Sequence, residues 1–593
     1  AIRRQRQMCI RDSFHEGTGV DTVFAGNISG LDGAAANTDL VKTGANKLTL
    51  SGNVTLAGDI IAEQGTLQLN GTANVEALRL DSTDAGSLAV IGMGGHTTAQ
   101  TLASGANGGK LDIGSSGTLT LTGATDGLSR TEIGGTGTLN IAEGASLGLA
   151  ADSALSGVVL DLDGSLSLAA DGSAGGLNGA GDLELNGQTL HIQAASGQTH
   201  TYDGTLGAGT LDVSGAGTQV LRSSGADTDL TVSGGNLVLQ GKADVDGAHL
   251  SYGNLVNNGK LAIQASDNVL TAVNTTLSVE NATFGSGSTT TFTLNTDADM
   301  TASFIKASGD IVIENGAAFH VTSIPGVNIT WKSGNPMELT LMELTGAGTI
   351  DLGENTLTVG GLFLTYYKNA HLVQEGDKVV LKAEEQTDNI YAGVADTANS
   401  MAGANLIWEA ARHGSVDQAV TDFLAALNDD MVNNPSAARR SLAAAAGSTV
   451  TSLGIAQRDS LRDQMGWIRN RVAQMGVNPA YVHEDMPYFH MWMQGTGSYA
   501  KLDTKGDESG YELTTWGGTV GMDVDINDNF TAGAAFTANY GSLTANAADT
   551  ADGDLDSYYV NLFARYQSRK WSHLLILTGG WNDAKLTRTV DYG

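Results

Sequence analysis

Short segments of alternating apolar and polar residues, each introduced by a glycine, occupy the first two thirds of the chain. Their common form is Gly-x-Leu-x-Leu, in which isoleucine or valine can replace leucine. Such alternation predicts a strand with one inward face, and the glycine supplies the bend before it. The segments begin at Gly65, Gly86, Gly109, Gly117, Gly137, Gly164, Gly181, Gly209, Gly235 and Gly259, and again near Gly348.

The spacing of these segments predicts a stacked repeat. Between Gly117 and Gly259 the starts are 20, 27, 17, 28, 26 and 24 residues apart. Periods of this size are typical of units that bury their apolar side only against their neighbours. We therefore predict a right-handed parallel β-solenoid over residues 14–385. It would be stabilised by stacked aliphatic side chains that each contribute roughly 1.5–3 kcal/mol on burial.

The pattern becomes helical near residue 385. Residues 386–452 are predicted to form a helical linker in which Ser415 caps one helix and Ser436 begins another turn. The clearest helical pattern lies in residues 453–476, where Gly476 and then Pro479 end the helix. Its apolar stripe consists of Leu461, Met465, Ile468, Val472 and Met475.

After Pro487 the apolar positions alternate with a period of two over segments of about ten residues. One face is apolar, the other is small or polar, and aromatic residues lie near the segment ends, as in an outer-membrane β-barrel. About five antiparallel strands are predicted in 487–593, with Asp503 to Gly510 and Asn546 to Asp554 as hydrophilic loops. The predicted barrel wall includes Trp492, Phe530, Phe536, Tyr540, Tyr558 and Tyr566.

Three stretches of sequence resemble the autotransporters of type V secretion. The stretch from Trp492 to Tyr499 is similar to that family's first barrel strand, and Leu453 to Met475 lies where the family has its pore helix. The segment from Lys42 to Gly71 resembles the passenger-associated repeat, through Leu48, Leu50, Gly52, Asn53, Gly65, Leu67 and Leu69.

The resemblance implies a C-terminal β-domain in the outer membrane of a Gram-negative-type bacterium and a solenoid passenger exported to the cell surface. The implied partners are outer-membrane lipid, the barrel-assembly machinery and surface ligands on host or neighbouring cells. Family barrels generally have twelve strands and end on an aromatic residue, so we expect 487–593 to be an incomplete barrel. We also expect residues 1–13, which contain Cys9, to be non-native, with the export signal outside this sequence.

Composition narrows the possible functions. The 593 residues include 79 glycines and only 5 prolines, and the 41% apolar content is sufficient for an extended core with frequent turns. The formal charge of −33 argues against nucleic-acid binding because such a surface repels phosphate. A single cysteine excludes an internal disulfide.

No catalytic motif or cofactor-binding motif stands out in the solenoid sequence. His191 and His200 are expected to be ordinary surface side chains, and the glycines from Gly134 to Gly137 are expected to form a turn. The acidic runs Asp161–Asp163 and Asp297–Asp299 are more typical of solvated turns than of Ca²⁺ sites. We therefore predict no enzyme activity, no cofactor and no metal.

Two local alternatives stay open at this stage. Asn433-Asn434 resembles the asparagine pair at which some autotransporters cleave themselves, although a turn before a helix starting at Pro435 is the simpler interpretation. The arginine-rich helix of 453–476 is also compatible with a surface helix of a water-soluble domain.

The sequence leads to three functional hypotheses. The first is an autotransporter that displays a non-enzymatic, adhesin-like solenoid. The second is a polysaccharide-active solenoid enzyme, which the scarcity of aromatic residues disfavours because Trp331 is the only tryptophan of the solenoid. The third, a self-associating soluble solenoid, leaves the aromatic-edged alternation after Pro487 unexplained.

Overall fold

The chain forms two compact units, Ala1–Glu385 and Gln386–Gly593, in a computed structural model. The division falls where the sequence pattern changes from a period of two to a helical period. The described residues are 20–30, 39–84, 88–241, 248–264, 275–294, 304–323, 337–412, 418–474, 488–503, 510–527, 529–546, 550–568 and 570–589.

Three sheets built from parallel strands occupy the first part of unit 1. Sheet 1 runs in the order Thr22–Phe24, Lys47–Leu50, Gly65–Leu69, Ala89–Met93, Gly109–Ile113, Thr131–Gly135 and Ala154–Ser156. Sheet 2 contains Ile28–Ser29, Val54–Thr55, Ala73–Leu80, His96–Ser104, Thr118–Leu121, Thr138–Ile141, Val159–Leu162 and Gly176–Asn178. Ile60–Ala62 also pairs with Ala73–Leu80, and Leu40–Lys42 pairs with Ile60–Ala62. Sheet 3 contains Ala124–Leu128, Ser146–Leu149, Ser165–Ser167, Asp182–Glu184 and Thr205–Leu206.

Three further sheets continue the stack. Sheet 4 contains Gly172–Ala174, Thr189–Ile192, Gly209–Val213, Thr228–Val232, Leu255–Asn257, Ala282–Phe284, Ile311–Ile313 and Ile350–Leu352. Sheet 5 contains Thr199–Tyr202, Thr218–Leu221, Asn236–Gln240, Lys260–Gln264, Thr289–Leu294, Ala317–Ser323 and Asn355–Val359. Sheet 6 runs in the order Ala248–Ser251, Thr275–Val279, Ile305–Ala307, Met337–Leu344, Lys378–Glu385 and Tyr367–Glu375.

Each turn of the chain places its strands beside those of the previous turn, which is the β-solenoid arrangement predicted from the sequence. Leu48 pairs with Leu67, which pairs in turn with Ile91, so aliphatic side chains stack in one row. These side chains are almost completely buried. Apolar burial between neighbouring turns therefore stabilises this unit, as in other solenoids.

Two glycines of the repeat segment are required by the backbone. Gly65 has a φ of +70°, and a Cβ there would lie 2.5 Å from the carbonyl oxygen of Gly44. At Gly52 a Cβ would lie 2.3 Å from the carbonyl oxygen of Gly26. Any side chain at these two positions would push adjacent turns of the solenoid apart.

The glycine-led segments lie on different sheets, which explains their irregular spacing. Gly117 and Gly137 precede strands of sheet 2, Gly164 and Gly181 precede strands of sheet 3, and Gly209 begins a strand of sheet 4. Some intervals therefore connect equivalent strands of two successive turns, whereas others connect strands that belong to different sheets. The segment at Gly86 lies outside the described residues.

A row of polar side chains links successive turns along the edge of sheet 4. The Oδ1 atom of Asp229 accepts a hydrogen bond from the N–H of Asn254 at 2.7 Å. In the same way, Asn281 Oδ1 accepts from the N–H of Asp310 at 2.7 Å, and Asp310 Oδ1 accepts from Thr349. Both donors of Thr349 hold the pKa of the Asp310 carboxyl below its usual value. These side chains satisfy turn N–H groups that the strands leave unpaired.

Replacing Asn281 by alanine is expected to destabilise this part of the solenoid by about 1 kcal/mol, because the N–H of Asp310 would lose its acceptor. The measurement is the urea midpoint of protease resistance of the displayed solenoid. Gln193→Ala, at an exposed position, is the matched control and is expected to leave the midpoint unchanged. Equal midpoints for both variants would contradict a stabilising role for the polar row.

The last part of unit 1 departs from parallel pairing. Tyr367–Glu375 and Lys378–Glu385 form an antiparallel hairpin, and Lys378–Glu385 also pairs antiparallel with Met337–Leu344. Gly376, with a φ of +61°, lies in the hairpin turn. A short helix, α1 (Phe363–Tyr366), precedes the hairpin. The sequence pattern did not distinguish this hairpin from further solenoid turns.

Unit 2 begins with a 3₁₀ turn, Ile390–Gly393, and four helices. The helices are α2 (Ala398–Arg412), α3 (Gln418–Asn433), α4 (Pro435–Ala445) and α5 (Ser448–Gln474). Helices α2 and α4 pack closely, since a Cβ on Gly403 would lie 1.8 Å from the carbonyl oxygen of Leu442. Helix α5 starts five residues before the predicted position, directly after Gly447, which has a φ of +79°.

The chain ends in sheet 7, in which five antiparallel strands pair in sequence order. The strands, called first to fifth below, are Tyr488–Leu502, Gly510–Asn527, Phe530–Asn546, Thr550–Gln567 and Ser572–Thr589. Among the residues that the structure describes, no helix is both long enough and apolar enough to cross a membrane.

Candidate functional site: a helix against an antiparallel sheet

The two faces of sheet 7 differ in chemistry. One face, called the helix-facing face, packs against helix α5. The opposite face, called the outer face, carries large apolar side chains that are exposed. They include Phe489, Met491, Met493, Trp516, Val520, Met522, Phe536, Val560, Leu562, Leu575, Leu577 and Trp581. Exposed apolar area of this extent requires an apolar surrounding.

Aromatic side chains form a row across the outer face, near the middle of the strands. The ring centroids of Trp516 and Tyr540 are 5.2 Å apart, those of Tyr540 and Tyr558 are 6.5 Å apart, and those of Tyr558 and Trp581 are 5.5 Å apart. The row therefore continues over four neighbouring strands. Rings with one polar atom are favoured where lipid meets water.

A second aromatic group lies on the same face where the fourth strand ends and the fifth begins. Tyr566 and Trp571 both stack with His573, with centroid distances of 6.4 and 6.3 Å. Tyr558 and Tyr566 are eight residues apart in the fourth strand, about 27 Å at the usual strand rise. With the tilt of barrel strands the separation becomes about 20 Å, close to the apolar band of an outer-membrane barrel.

The helix-facing face is polar in its middle. Gln464 of α5 is fully buried and donates from Nε2 to Thr537 Oγ1 at 2.6 Å. Thr537 shares a further hydrogen bond of 2.8 Å with Thr519. Nearby, Thr496 donates to Asn539, and Thr578 donates to Asn561. Three buried polar atoms here have no hydrogen-bond partner among the described residues: Gln464 Oε1, Asn539 Nδ2 and Asn561 Nδ2.

Two apolar contacts flank this polar zone. Near the start of the helix, Ala456 packs in a cluster with Tyr511, Leu513, Leu543 and Leu555. Near its end, Ile468 and Val472 pack against Ala535 and Phe563. Helix α5 is therefore held by short side chains at one end and by branched ones at the other, with hydrogen bonds between them.

The predicted apolar stripe of the helix is only partly the buried face. Ile468 and Val472 are buried, whereas Leu461 and Met465 are more than one third exposed. Met475 lies outside the described residues. The buried face instead follows steps of four through Ala456, Ser460, Gln464, Ile468 and Val472. Gln464 is polar and bonds to a hydroxyl group of the sheet, so hydrophobicity alone did not identify the contacting face.

A charged group lies at the end of the interface where the first strand begins. Asp523 has a side chain that is 4% exposed, and its Oδ2 lies 3.2 Å from Nδ1 of His490. Its Oδ1 lies 4.0 Å from an Arg471 guanidinium nitrogen. The Arg471 guanidinium carbon also lies 5.2 Å from the centre of the Trp492 ring. The sequence analysis missed Asp523 and His490, although an aspartate at an inward position between apolar neighbours was the available signal.

Residues 491–593 match the family model described as "Autotransporter beta-domain". These residues form an autotransporter β-domain. No curated protein and no solved structure matches the chain. An autotransporter β-domain inserts in the outer membrane and exports its own passenger, so the solenoid of this chain is exported to the cell surface.

The predicted wall residues of the β-domain divide between its two faces. Phe536, Tyr540 and Tyr566 are exposed on the outer face, and Phe530 and Tyr558 are half-buried on it. Trp492 pairs opposite Gly521 and lies on the helix-facing face, where it contacts Arg471. A Cβ on Gly521 would lie 2.2 Å from the Trp492 ring, so this glycine makes room for the indole.

One predicted loop of the β-domain is largely strand. The fourth strand begins at Thr550, so Asp552 and Asp554 pair with the third strand instead of forming a loop. The acidic composition suggested a loop because it indicates contact with water. The strand simply extends beyond the aromatic row, where acidic side chains stay hydrated. Residues 504–509 of the other predicted loop lie outside the described residues.

Two predicted surface histidines of the passenger have different environments. His191 is partly exposed, and its Nδ1 lies 2.8 Å from Oδ2 of Asp212 on the next turn. His200 is buried, contrary to the prediction, and burial lowers its pKa. Its ring occupies the space above Gly176, where a Cβ would lie 2.2 Å from the ring. A glycine on the neighbouring turn therefore determines that this histidine points inward.

The remaining candidate residues are part of the fold. Asn434 caps helix α4 by accepting from the N–H of Ala437, and Asn433 donates to Asp429. Burial, followed by the charge of Asp163, raises the pKa of Asp161. Gly135, with a φ of +118°, ends a strand of sheet 1. Asp297–Asp299 lies outside the described residues. No group of three or more His, Cys, Asp or Glu side chains suited to a metal ion occurs in the described part of the chain.

Proposed function

We propose that the passenger is a non-enzymatic, adhesin-like surface protein that its own β-domain anchors in the outer membrane. The observation that carries this proposal is the burial of the aromatic side chains. Among the described residues of 20–385, every phenylalanine and tyrosine except Phe24 is buried. Glycan cleavage requires paired carboxylates, and we expect a glycan-binding face to carry exposed aromatic rings beside them, so burial of these rings favours adhesion over glycan cleavage.

The outward positions of the solenoid support an adhesive surface. On sheet 5 they include Thr291, His320 and Thr358, which pair in register across three turns. His320 Nδ1 lies 2.8 Å from Thr358 Oγ1. Such rows place hydroxyl, amide and imidazole groups at regular intervals. A partner with repeated polar groups, on a host cell or a neighbouring bacterium, can bind to several turns at once, and many weak contacts then add to a stable attachment.

Insertion of the β-domain would depend on the barrel-assembly machinery. Its outer face carries exposed apolar side chains such as Leu562 and Trp581, which have no stable place in the periplasm before insertion. This assignment rests on the family and on the chemistry of that face.

The proposal is tested on cells that display the protein. The protein is expected to resist extraction from outer membranes, and protease added to intact cells is expected to remove residues 27–382. The same treatment should abolish attachment of the cells to host-cell layers and to one another. Cells that carry no copy of the protein are the control.

Two results would contradict the proposal. Recovery of the protein in the cytosol would exclude outer-membrane anchoring. Release of reducing ends from glycans by the shaved passenger, with unchanged attachment of the cells, would favour the polysaccharide-active enzyme instead.

A further inference from the structure

The sheet alone does not fully neutralise the carboxylate of Asp523, which lies at the end of the helix–sheet interface. Asp523 is buried on the helix-facing face, and its Oδ1 forms no hydrogen bond within the described residues. On the sheet, His490 is the cationic candidate beside it, at 3.2 Å. That histidine also lies 3.9 Å from Oδ2 of Asp525, so one imidazole faces two carboxylates.

Helix α5 supplies the permanent positive charge. Arg471 approaches Asp523 from the last turn of the helix, and its guanidinium lies over the Trp492 ring. Arginine is charged at any physiological pH, and its planar group can stack on indole while it faces a carboxylate. A second arginine, Arg565 of the fourth strand, donates to the carbonyl oxygen of Val472 at 3.5 Å. Two arginines therefore hold the end of the helix to the sheet. Arg471 extends from the helix to the sheet, and Arg565 extends from the sheet to the helix.

A buried carboxylate that loses its cation is strongly disfavoured. Removal of α5 from the sheet would leave Asp523 beside His490 alone, with Asp525 close by. The polar middle of the interface gives little compensation, because Gln464 exchanges its hydrogen bonds for bonds with water at small net cost. Among the polar contacts of this interface, loss of the pairing between Arg471 and Asp523 is therefore expected to cost the most free energy when the helix leaves the sheet.

We propose that Arg471 is the positioning residue that retains α5 against the β-domain after export, with Asp523 as its buried counter-charge and Trp492 as its platform. His490 holds Asp523 in position from the neighbouring strand. This inference rests on the export function of the β-domain. It adds the residues that hold α5 in the export pore and so keep that pore closed after the passenger has passed through it.

The test compares variants of the displayed protein in living cells and in planar lipid bilayers. Arg471→Gln removes the charge and keeps most of the side chain. It is expected to raise the open-channel probability about tenfold and to make cells sensitive to a large glycopeptide antibiotic. Arg471→Lys keeps the charge and loses the planar stacking, so an intermediate effect is expected.

Arg469→Gln is the matched control. Arg469 is exposed on the same helix two residues earlier, so its removal is expected to leave conductance and antibiotic resistance unchanged. The double variant Arg471→Glu with Asp523→Lys restores opposite charges and is expected to recover at least part of the closure. A merely structural role for Arg471 would give no such recovery.

Protease shaving of the passenger is measured in parallel, because it reports export independently of closure. Exposed passenger with unchanged conductance in Arg471→Gln would overturn the inference while leaving the proposed function intact. Equal effects of Arg469→Gln and Arg471→Gln would also overturn it. Arg471→Gln and Arg469→Gln alter only the helix. The comparison between these two variants is therefore valid even where a substitution of Asp523 prevents insertion of the sheet.

Discussion

Replacement of Leu562 by arginine is expected to reduce strongly the amount of folded β-domain in the outer membrane. Leu562 lies on the outer face of the fourth strand, half-way between Tyr558 and Tyr566. These two tyrosines belong to the aromatic groups at either end of the apolar band. An arginine at the middle of such a band costs about 2–4 kcal/mol. The measurement is the fraction of protein that shows the heat-dependent gel shift of a folded barrel.

A matched control uses the same substitution on the same face at a different depth. Thr544 is exposed near the end of the third strand and pairs opposite Asp552, beyond the aromatic row. Thr544→Arg is expected to cost about 0–1 kcal/mol, because the guanidinium remains in water. Equal losses for the two variants would contradict lipid contact as the cause. Leu562→Ala separates the added charge from the lost side chain.

The second large effect is expected in the solenoid core. Phe319 of sheet 5 and Phe284 of sheet 4 are fully buried, and their rings meet edge to face with centroids 5.3 Å apart. Phe319→Ala removes this contact and leaves a cavity between two sheets, at a cost of about 3–5 kcal/mol. The urea midpoint of protease resistance is expected to fall for fragments that contain this turn of the solenoid.

The loss should be local, because each solenoid turn contacts only its neighbours. Cleavage is expected to begin near residue 319 and to leave fragments from sheets 1 and 2 intact at the same urea concentration. Thr356→Ala is the control, since Thr356 is exposed and lies opposite Ala318 on the next turn of the same sheet. It should change stability by less than about 0.5 kcal/mol. A single cooperative loss of the whole solenoid would contradict the prediction.

The sequence predicted those features of the fold that depend on a repeated apolar pattern. Leu48, Leu50, Leu67 and Leu69 are buried in neighbouring strands of sheet 1, as the repeat segment implied. Periodicity identifies inward positions well, because a strand has only two faces. It did not indicate which sheet each segment joins, since that depends on turn lengths that vary along the chain. Side-chain bonds to turn N–H groups span 18 residues at Thr189 but 39 at Thr349.

Other errors arose where one neighbouring residue decides the outcome. His200 points inward because Gly176 leaves room for its ring, and no property of the histidine itself indicates this. Leu461 and Met465 satisfied the helical spacing but are more than one third exposed, whereas Gln464, outside the predicted stripe, contacts the sheet. The preference for Gln464 follows from hydroxyl partners on strands more than fifty residues away, which a local pattern does not contain.

The hydroxyl and amide side chains beneath helix α5 also bear on the speed of passenger movement. A polypeptide that slides past Thr519, Thr537 and Asn539 meets groups that both donate and accept, and it can exchange one partner for the next at a cost near 1 kcal/mol per hydrogen bond. A lining of leucine and phenylalanine would bind each apolar segment much more strongly and hold it there. We therefore expect a face lined with hydroxyl and amide groups to slow a passing chain less than an apolar face would.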